Sequence, residues 1–194
     1  MLGSQLLQQL KIVKEFEIMK PDVKRQDLDD NWTDFFMVLD KMFEKDTEES
    51  DMEDNDSEIM KIIETLETKI KYKTSKKEMD LITKVKTTDV DLRSKKNSPP
   101  RAVVIIDEDG KINNTYIIGD EVEIDAGKSF KNMLQLLIMV YYVYDLSYPK
   151  CYQLLGFLQT FIFKDDTKFH KGANYLKFEK DFIRVKENST DADL

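Results

Sequence analysis

The chain has little of several things: one cysteine, Cys151, one histidine, His170, four prolines and six glycines in 194 residues. A single thiol cannot close an intrachain disulfide, so packing alone must hold the fold, and the expectation for Cys151 is a reduced, buried thiol. A nucleophilic cysteine would need a base, and the one imidazole, His170, sits in the polar stretch Phe169-His170-Lys171. Scarce Pro and Gly argue against a β-sandwich with a turn every few residues and favour long helices with few connections.

Long apolar runs are missing too. The longest, Met133 to Tyr144, is interrupted by Gln135 and falls well short of the roughly 20 residues that span a bilayer. The opening Met1-Leu2-Gly3-Ser4-Gln5 lacks the basic n-region and apolar h-region of a signal peptide. These absences lead us to expect an intracellular protein, cytoplasmic or nuclear, with no membrane association.

Chemical signatures are equally sparse. There is no Gly-rich phosphate loop, no HExxH, no CxxC pair and no Gly-x-Ser-x-Gly elbow, so the common nucleotide, zinc and hydrolase motifs are absent from the sequence. Asp107-Glu108-Asp109-Gly110 suggests a calcium loop, but with Gly110 at the obligatory turn position the first and last ligands would be Ile105 and Tyr116, which cannot serve. A hairpin turn is the better account. The acidic run Asp51 to Glu58 has ligand-type oxygens and no turn glycine. No catalytic residue, cofactor or metal site is therefore assigned.

What the sequence does have is charge, unevenly placed. Between Glu44 and Glu58 nine carboxylates face one Lys, a local balance of −8 that equals the net charge of the whole chain. From Lys69 to Arg101, eleven Lys and Arg face four Asp and Glu. That basic segment can meet an anionic partner, with Lys76, Lys77, Lys95 and Lys96 as its candidate contacts, or can pair with the acidic run in the same chain. Tyr72 is its sole aromatic, which disfavours a stacking platform for single strands. Arg93-Ser94-Lys95-Lys96 also has the character of a nuclear-import cluster. Ser50 and Ser57 lie among carboxylates and Ser98 precedes Pro99, making these three candidate phosphorylation sites; a phosphate on Ser57 would add charge near a helix N-terminus.

Periodicity gives the elements. Leu6, Leu10, Val13 and Phe16 predict a helix over about 5–19 stopped by Pro21. Trp32, Phe35, Phe36, Leu39, Met42 and Phe43 predict a second, capped at Asp30 or Asn31. After an acidic loop at 45–56, Ile59, Ile62, Ile63, Leu66 and Ile70 mark a third, with Asp56 and Glu58 favourably placed near its positive end. Ser75 and Glu78 form a capping box for a fourth through Met79, Ile82 and Val85. Residues 1–86 thus read as a helical segment and 87–101 as a polar linker. Residues 102–185 then read as an α+β module: strands at 102–106, 112–118 and 121–124 in a three-stranded antiparallel meander, followed by a helical hairpin. The hairpin joins an apolar helix from Phe130 to Tyr144 to a second one capped by Ser147 with Pro149 in its first turn. Lys177 to Val185 is a further strand or short helix, and 186–194 a disordered tail. The predicted class is α+β, mostly helical.

The segment Val140-Tyr141-Tyr142-Val143-Tyr144-Asp145-Leu146-Ser147-Tyr148-Pro149, followed by Leu154-Leu155-Gly156-Phe157-Leu158-Gln159-Thr160-Phe161-Ile162, resembles the C-terminal region of uncharacterised, mobile-element-associated animal proteins labelled sterile-alpha-motif-domain-containing-like. Those proteins share the order of a helical segment with an early Trp (here Trp32), a polar linker, strands and an aromatic helix ending before Tyr-Pro. The resemblance implies origin and architecture; it brings no activity and no site residue.

Together these readings favour a non-enzymatic protein-interaction module, in the resemblance's terms a domesticated fragment of an element-encoded protein. The alternatives are a nucleic-acid-associated regulator working through 69–101, whose binding would be strongly salt-dependent, and a divergent enzyme, which would need a concave pocket with perturbed titratable groups. The apolar Phe130 to Tyr144 helix also leaves room for homo-oligomerisation.

Overall fold

Amphipathic stripes become helices where their apolar faces meet, and the first three form around the predicted stripes with earlier starts. The computed structural model describes residues 2–43, 55–73, 80–86, 96–120 and 122–190. The first helix, α1 (Leu2–Met19), is followed by α2 (Arg25–Met42) and α3 (Asn55–Ile70). Four strands come next, β1 (Ile82–Val85), β2 (Arg101–Ile106), β3 (Ile112–Ile118) and β4 (Glu123–Gly127), then α4 (Phe130–Val143), α5 (Gln153–Phe161) and α6 (Ala173–Thr190). The class is α+β and mostly helical, with one four-stranded mixed sheet.

The meander from β2 to β4 is antiparallel, as its hairpin turns dictate. At the first turn Asp107 Oδ1 accepts from the Lys111 amide at 2.8 Å and Gly110 takes φ +82°, a left-handed conformation that glycine adopts without strain. The sheet has a strand more than the sequence predicted. Ile82–Val85, read as the end of a fourth helix, instead pairs in parallel with β2, Ile82 opposite Ala102 and Val85 opposite Ile105. The physical reason is that Ile-Thr-Lys-Val is β-branched at three of four positions, and β2 offers an open edge once the meander forms. The capping box at Ser75 and Glu78 and the acidic stretch 45–54 lie outside the described residues.

Other boundaries also move. α2 begins at Arg25, ahead of the predicted cap at Asp30 or Asn31: Leu28 is buried one turn before Trp32, and no side chain among the described residues caps the helix. Asn31, instead of capping, donates to the Ile162 carbonyl at 2.8 Å. Ser147 does not cap α5 either, since Pro149 to Tyr152 form a turn and the helix starts at Gln153. Lys177 to Val185 is helical, within an α6 that runs on to Thr190, so the tail predicted from residue 186 is helix over 186–190. Phe178 and Phe182 point inward at a spacing of four, with Tyr175 completing the stripe.

α4 and α5 do not form the predicted hairpin. α4 packs on α1, α3 and the meander strands, while α5 finds its main helical partner in α3, and α2 lies on α6. One hydrophobic core runs through both halves of the chain, joining Ile12, Phe16, Trp32 and Ile63 to Ala102, Leu134, Phe157 and Phe182. Phe157 sits among Phe35, Phe161, Tyr175, Phe178 and Phe182 with ring centroids 4.6–6.0 Å away. Such edge-on and tilted pairs add about 0.5–1.5 kcal/mol each to the burial of their area. Most of the apolar residues of α4 are buried within the chain.

Candidate functional site

One feature the fold leaves unfilled is a groove of about 310 Å3 along α1. Its floor is one stripe of α4, Asn132, Gln135, Leu136 and Met139, at the i, i+3, i+4, i+7 spacing of a single helix face. One wall is the flank of α1 carrying Leu6, Leu10 and Val13; the other is the start of α2 with Val23 and Leu28. α1 is set on this floor by Ile12 and Phe16, both buried, and by the Gln9 amide, which donates to the Asp125 carbonyl of β4. Leu6 and Leu10 are 57% and 47% exposed, so the wall is apolar and open to water. Two features give the groove polarity. Among the described residues Gln135 Nε2 is buried without a hydrogen-bond partner, and Glu17 and Arg25 stand on opposite walls.

A closing contact at the far end of α1 keeps the groove in shape. Asp165, in the loop between α5 and α6, accepts from Lys20 Nζ and from the Tyr142 hydroxyl at 2.6 Å through Oδ2, and from the Thr167 amide and hydroxyl at 2.7 and 2.6 Å through Oδ1. Burial opposes the charge, but the hydrogen bonds from Lys20, Thr167 and Tyr142 outweigh it and hold the carboxyl far below the usual carboxylate range. Burial, then the bond to Asp165, pushes the Tyr142 hydroxyl far above its ordinary range. Every lone pair that matters is occupied, so this node fastens α1, α4 and the α5–α6 loop together rather than offering a reactive group.

A titratable cluster lies at the seam between α3 and β1. Glu67 is pushed up to about 7, first by burial and then by the neighbouring Asp80 and Glu64, with Lys71 pulling the other way. Ion pairs flank it: Lys84 with Glu64 at 2.7 Å and Lys71 with Asp80 at 3.9 Å. Close by, the Tyr152 hydroxyl and Arg101 Nε are buried without acceptors among the described residues, although Arg101 also donates from a terminal nitrogen to Thr83 at 2.9 Å. Burial raises the Tyr152 hydroxyl well above its ordinary range.

The α3 N-terminus has a role the sequence did not suggest. Asp56, expected to favour its own helix dipole, accepts from the Phe130 amide at 2.9 Å, the Lys131 amide at 3.4 Å and the Ser129 hydroxyl at 3.3 Å. It thereby caps α4 from another helix, alongside Ser129, which accepts from the Asn132 amide. Nothing in the local sequence pairs residues 73 apart.

The candidate residues read from the sequence are scattered. Lys76, Lys77, Lys95 and Ser50 lie outside the described residues. Lys96 is exposed. Of its basic neighbours, Lys71 and Lys84 are engaged by carboxylates of this chain, and Arg101 is half-buried. Ser57 is half-buried in the first turn of α3. Ser98 is buried, 8% exposed, and its carbonyl accepts from the Asp120 amide, so a kinase could reach it only if this loop opened. Cys151, expected to be buried, is half-buried, and His170 is exposed against the Tyr72 ring at 5.2 Å. Among the described residues no group of three or more His, Cys, Asp or Glu could hold a metal ion, and no helix is long and apolar enough to cross a membrane.

No family model matches the chain, and neither a curated protein nor a solved structure does.

Proposed function

We propose that this protein is a non-enzymatic interaction module that receives an amphipathic helix of a partner protein in the groove between α1 and α4. The observation that supports it is the open groove between α1 and the start of α2, whose α1 wall holds Leu6 and Leu10 open to solvent above an α4 floor. Exposed leucines cost solubility, and clustered around a concave strip they fit a binding surface better than a bare exterior. A groove floored by one helix and walled by two others suits an incoming helix whose anchors recur at i, i+3 and i+4. The volume takes a few apolar side chains and leaves little room for a large cofactor. Charge sets the orientation: a basic residue on the flank facing Glu17, an acidic one on the flank facing Arg25. Gln135 Nε2 offers a donor to a polar side chain or a terminal carbonyl of that helix.

The test uses the whole protein as bait for a displayed library of amphipathic helical peptides, with Leu6→Glu and Leu10→Glu as groove variants and Leu7→Glu, 67% exposed, as a control outside the lining. Selected peptides should lose at least about tenfold in affinity on either groove variant, the scale of a truncated anchor, and keep it on the control. Failure to enrich any peptide, or enriched peptides indifferent to Leu10→Glu, would sink the proposal.

A further inference from the structure

A second depression, of about 460 Å3, opens between the segment before β2, the β3–β4 turn and the C-terminal end of α4. Its surface is made mainly by Pro99, Pro100, Asp120, Val122, Tyr144 and Leu146. Three features set it apart from an accidental hollow. Its walls are fixed: the Tyr141 hydroxyl donates to the Pro100 carbonyl at 2.8 Å, the Asp120 amide to the Ser98 carbonyl at 3.0 Å, and the Asn97 amide to Asp120 Oδ2 at 2.7 Å. Gly119 lies so close that an added Cβ would meet Pro100 at 3.1–3.2 Å. Apolar groups face water, with Tyr144 46% and Leu146 41% exposed. And among the described residues the one charged side chain in the lining is a carboxylate, Asp120, engaged through Oδ2 alone. Asp145, held at φ +50° between Tyr144 and Leu146, adds a second exposed negative charge in the chain beside it. Lys96 is exposed next to Asn97 but does not line the depression.

We propose that this surface docks a basic segment of a partner protein, an Arg or Lys side chain flanked by apolar residues. The cation pairs with Asp120 Oδ1 and lies against the Tyr144 ring, where the electron-rich aromatic face attracts it. Its apolar neighbours rest on Pro99, Val122 and Leu146. Arg suits the site better than Lys, because a planar guanidinium can stack on the ring and donate to the carboxylate at once. This binding is independent of the α1–α4 groove.

Three peptides, identical except for a central Arg, Gln or Glu between Leu and Pro, test this when titrated into the 15N-labelled full-length protein at low salt. The Arg peptide should shift the amides of Asn97, Asp120, Tyr144 and Leu146 and bind at least about fivefold more tightly than the Glu peptide, the scale of one exposed charge contact plus one cation–π contact. Asp120→Asn and Tyr144→Ala should each weaken the Arg peptide by about threefold or more, added NaCl should weaken it further, and Leu10→Glu should leave it unchanged. Equal binding of the three peptides, shifts confined to other regions, no shifts at millimolar peptide, or indifference to Tyr144→Ala would each overturn the proposal. Tyr144→Ala removes an exposed side chain, so it remains informative even if Asp120→Asn disturbs the Asn97 loop.

Discussion

Glu67→Gln should stabilise the protein at neutral pH and leave it nearly unchanged in mild acid. Glu67 on α3 is half-buried beside Glu64 and Asp80, and its carboxyl is raised from an ordinary 4.5 to about 7. The folded state therefore holds a proton that the unfolded chain releases from about pH 4.5 upward. Stability from this group is fully present below about pH 4.5 and is lost as pH rises toward and through 7. Fully expressed, the difference amounts to about 3 kcal/mol. Water reaches part of the side chain and Lys71 relaxes toward it, so about 1–2 kcal/mol is the expected effect. Gln has nearly the same shape and no charge, so it keeps the contacts and removes the titration. Urea unfolding of the wild type and Glu67→Gln at half-unit steps from pH 4.5 to 8 measures the effect, because the difference between the two curves cancels every other titrating group. A gap that opens by about 1–2 kcal/mol in favour of the Gln variant as pH rises agrees with a strained, half-buried carboxylate. A constant gap, or one that opens in the other direction, would show that Glu67 finds a good partner when ionised, with Lys71 the neighbouring cation.

Asp165→Asn should cost about 2–3 kcal/mol in urea unfolding at pH 7, since it removes the charge that satisfies Lys20 and Tyr142 while both stay partly buried. Because the Asp165 carboxyl is held far below its ordinary value, its contribution is present above about pH 4 and fades as pH falls, so the variant should also show a shallower acid limb. Gly156→Ala should destabilise by about 1–3 kcal/mol in the same assay, because an added Cβ on α5 would overlap the Phe169 ring; a neutral result would mean that the ring swings out at no cost. In a titration against random duplex DNA at two salt concentrations, the wild type and a variant with Lys76, Lys77, Lys95 and Lys96 changed to Gln should behave alike. Salt-dependent binding lost in that variant would instead favour a nucleic-acid partner.

The parts of the fold legible in the sequence were those decided within one or two turns of chain. Ile59 to Ile70 declares a helix whatever surrounds it, and Asp107 to Gly110 declares its turn through one side chain and one glycine. Ile82 to Val85 does not: Ile82 and Val85 share a helix face equally well, and only a strand 20 residues later settles the matter. α2 hid its first turn because no capping side chain announces it, and α6 because nine residues of a longer stripe fit two periods. The groove was half visible. Leu6 and Leu10 appeared as part of a core face, but whether a helix flank is covered depends on where α4 and α2 lie, which no local pattern records. Asp56 and Asp165 draw their environments from elements far away in the chain, so the sequence could offer their identities and nothing of their roles.

The Gln9 contact with Asp125 joins groups 116 residues apart, and Ile12 and Phe16 likewise rest on a helix that begins at Phe130. α1 therefore leaves the ribosome well before the helix on which it comes to rest. At about 5–20 residues per second, on the order of 6–20 s separate its emergence from that of its platform. Throughout that interval α1 carries both its inner face and its outer leucines uncovered, so the stretch of chain that walls the groove is also the one most in need of protection during synthesis.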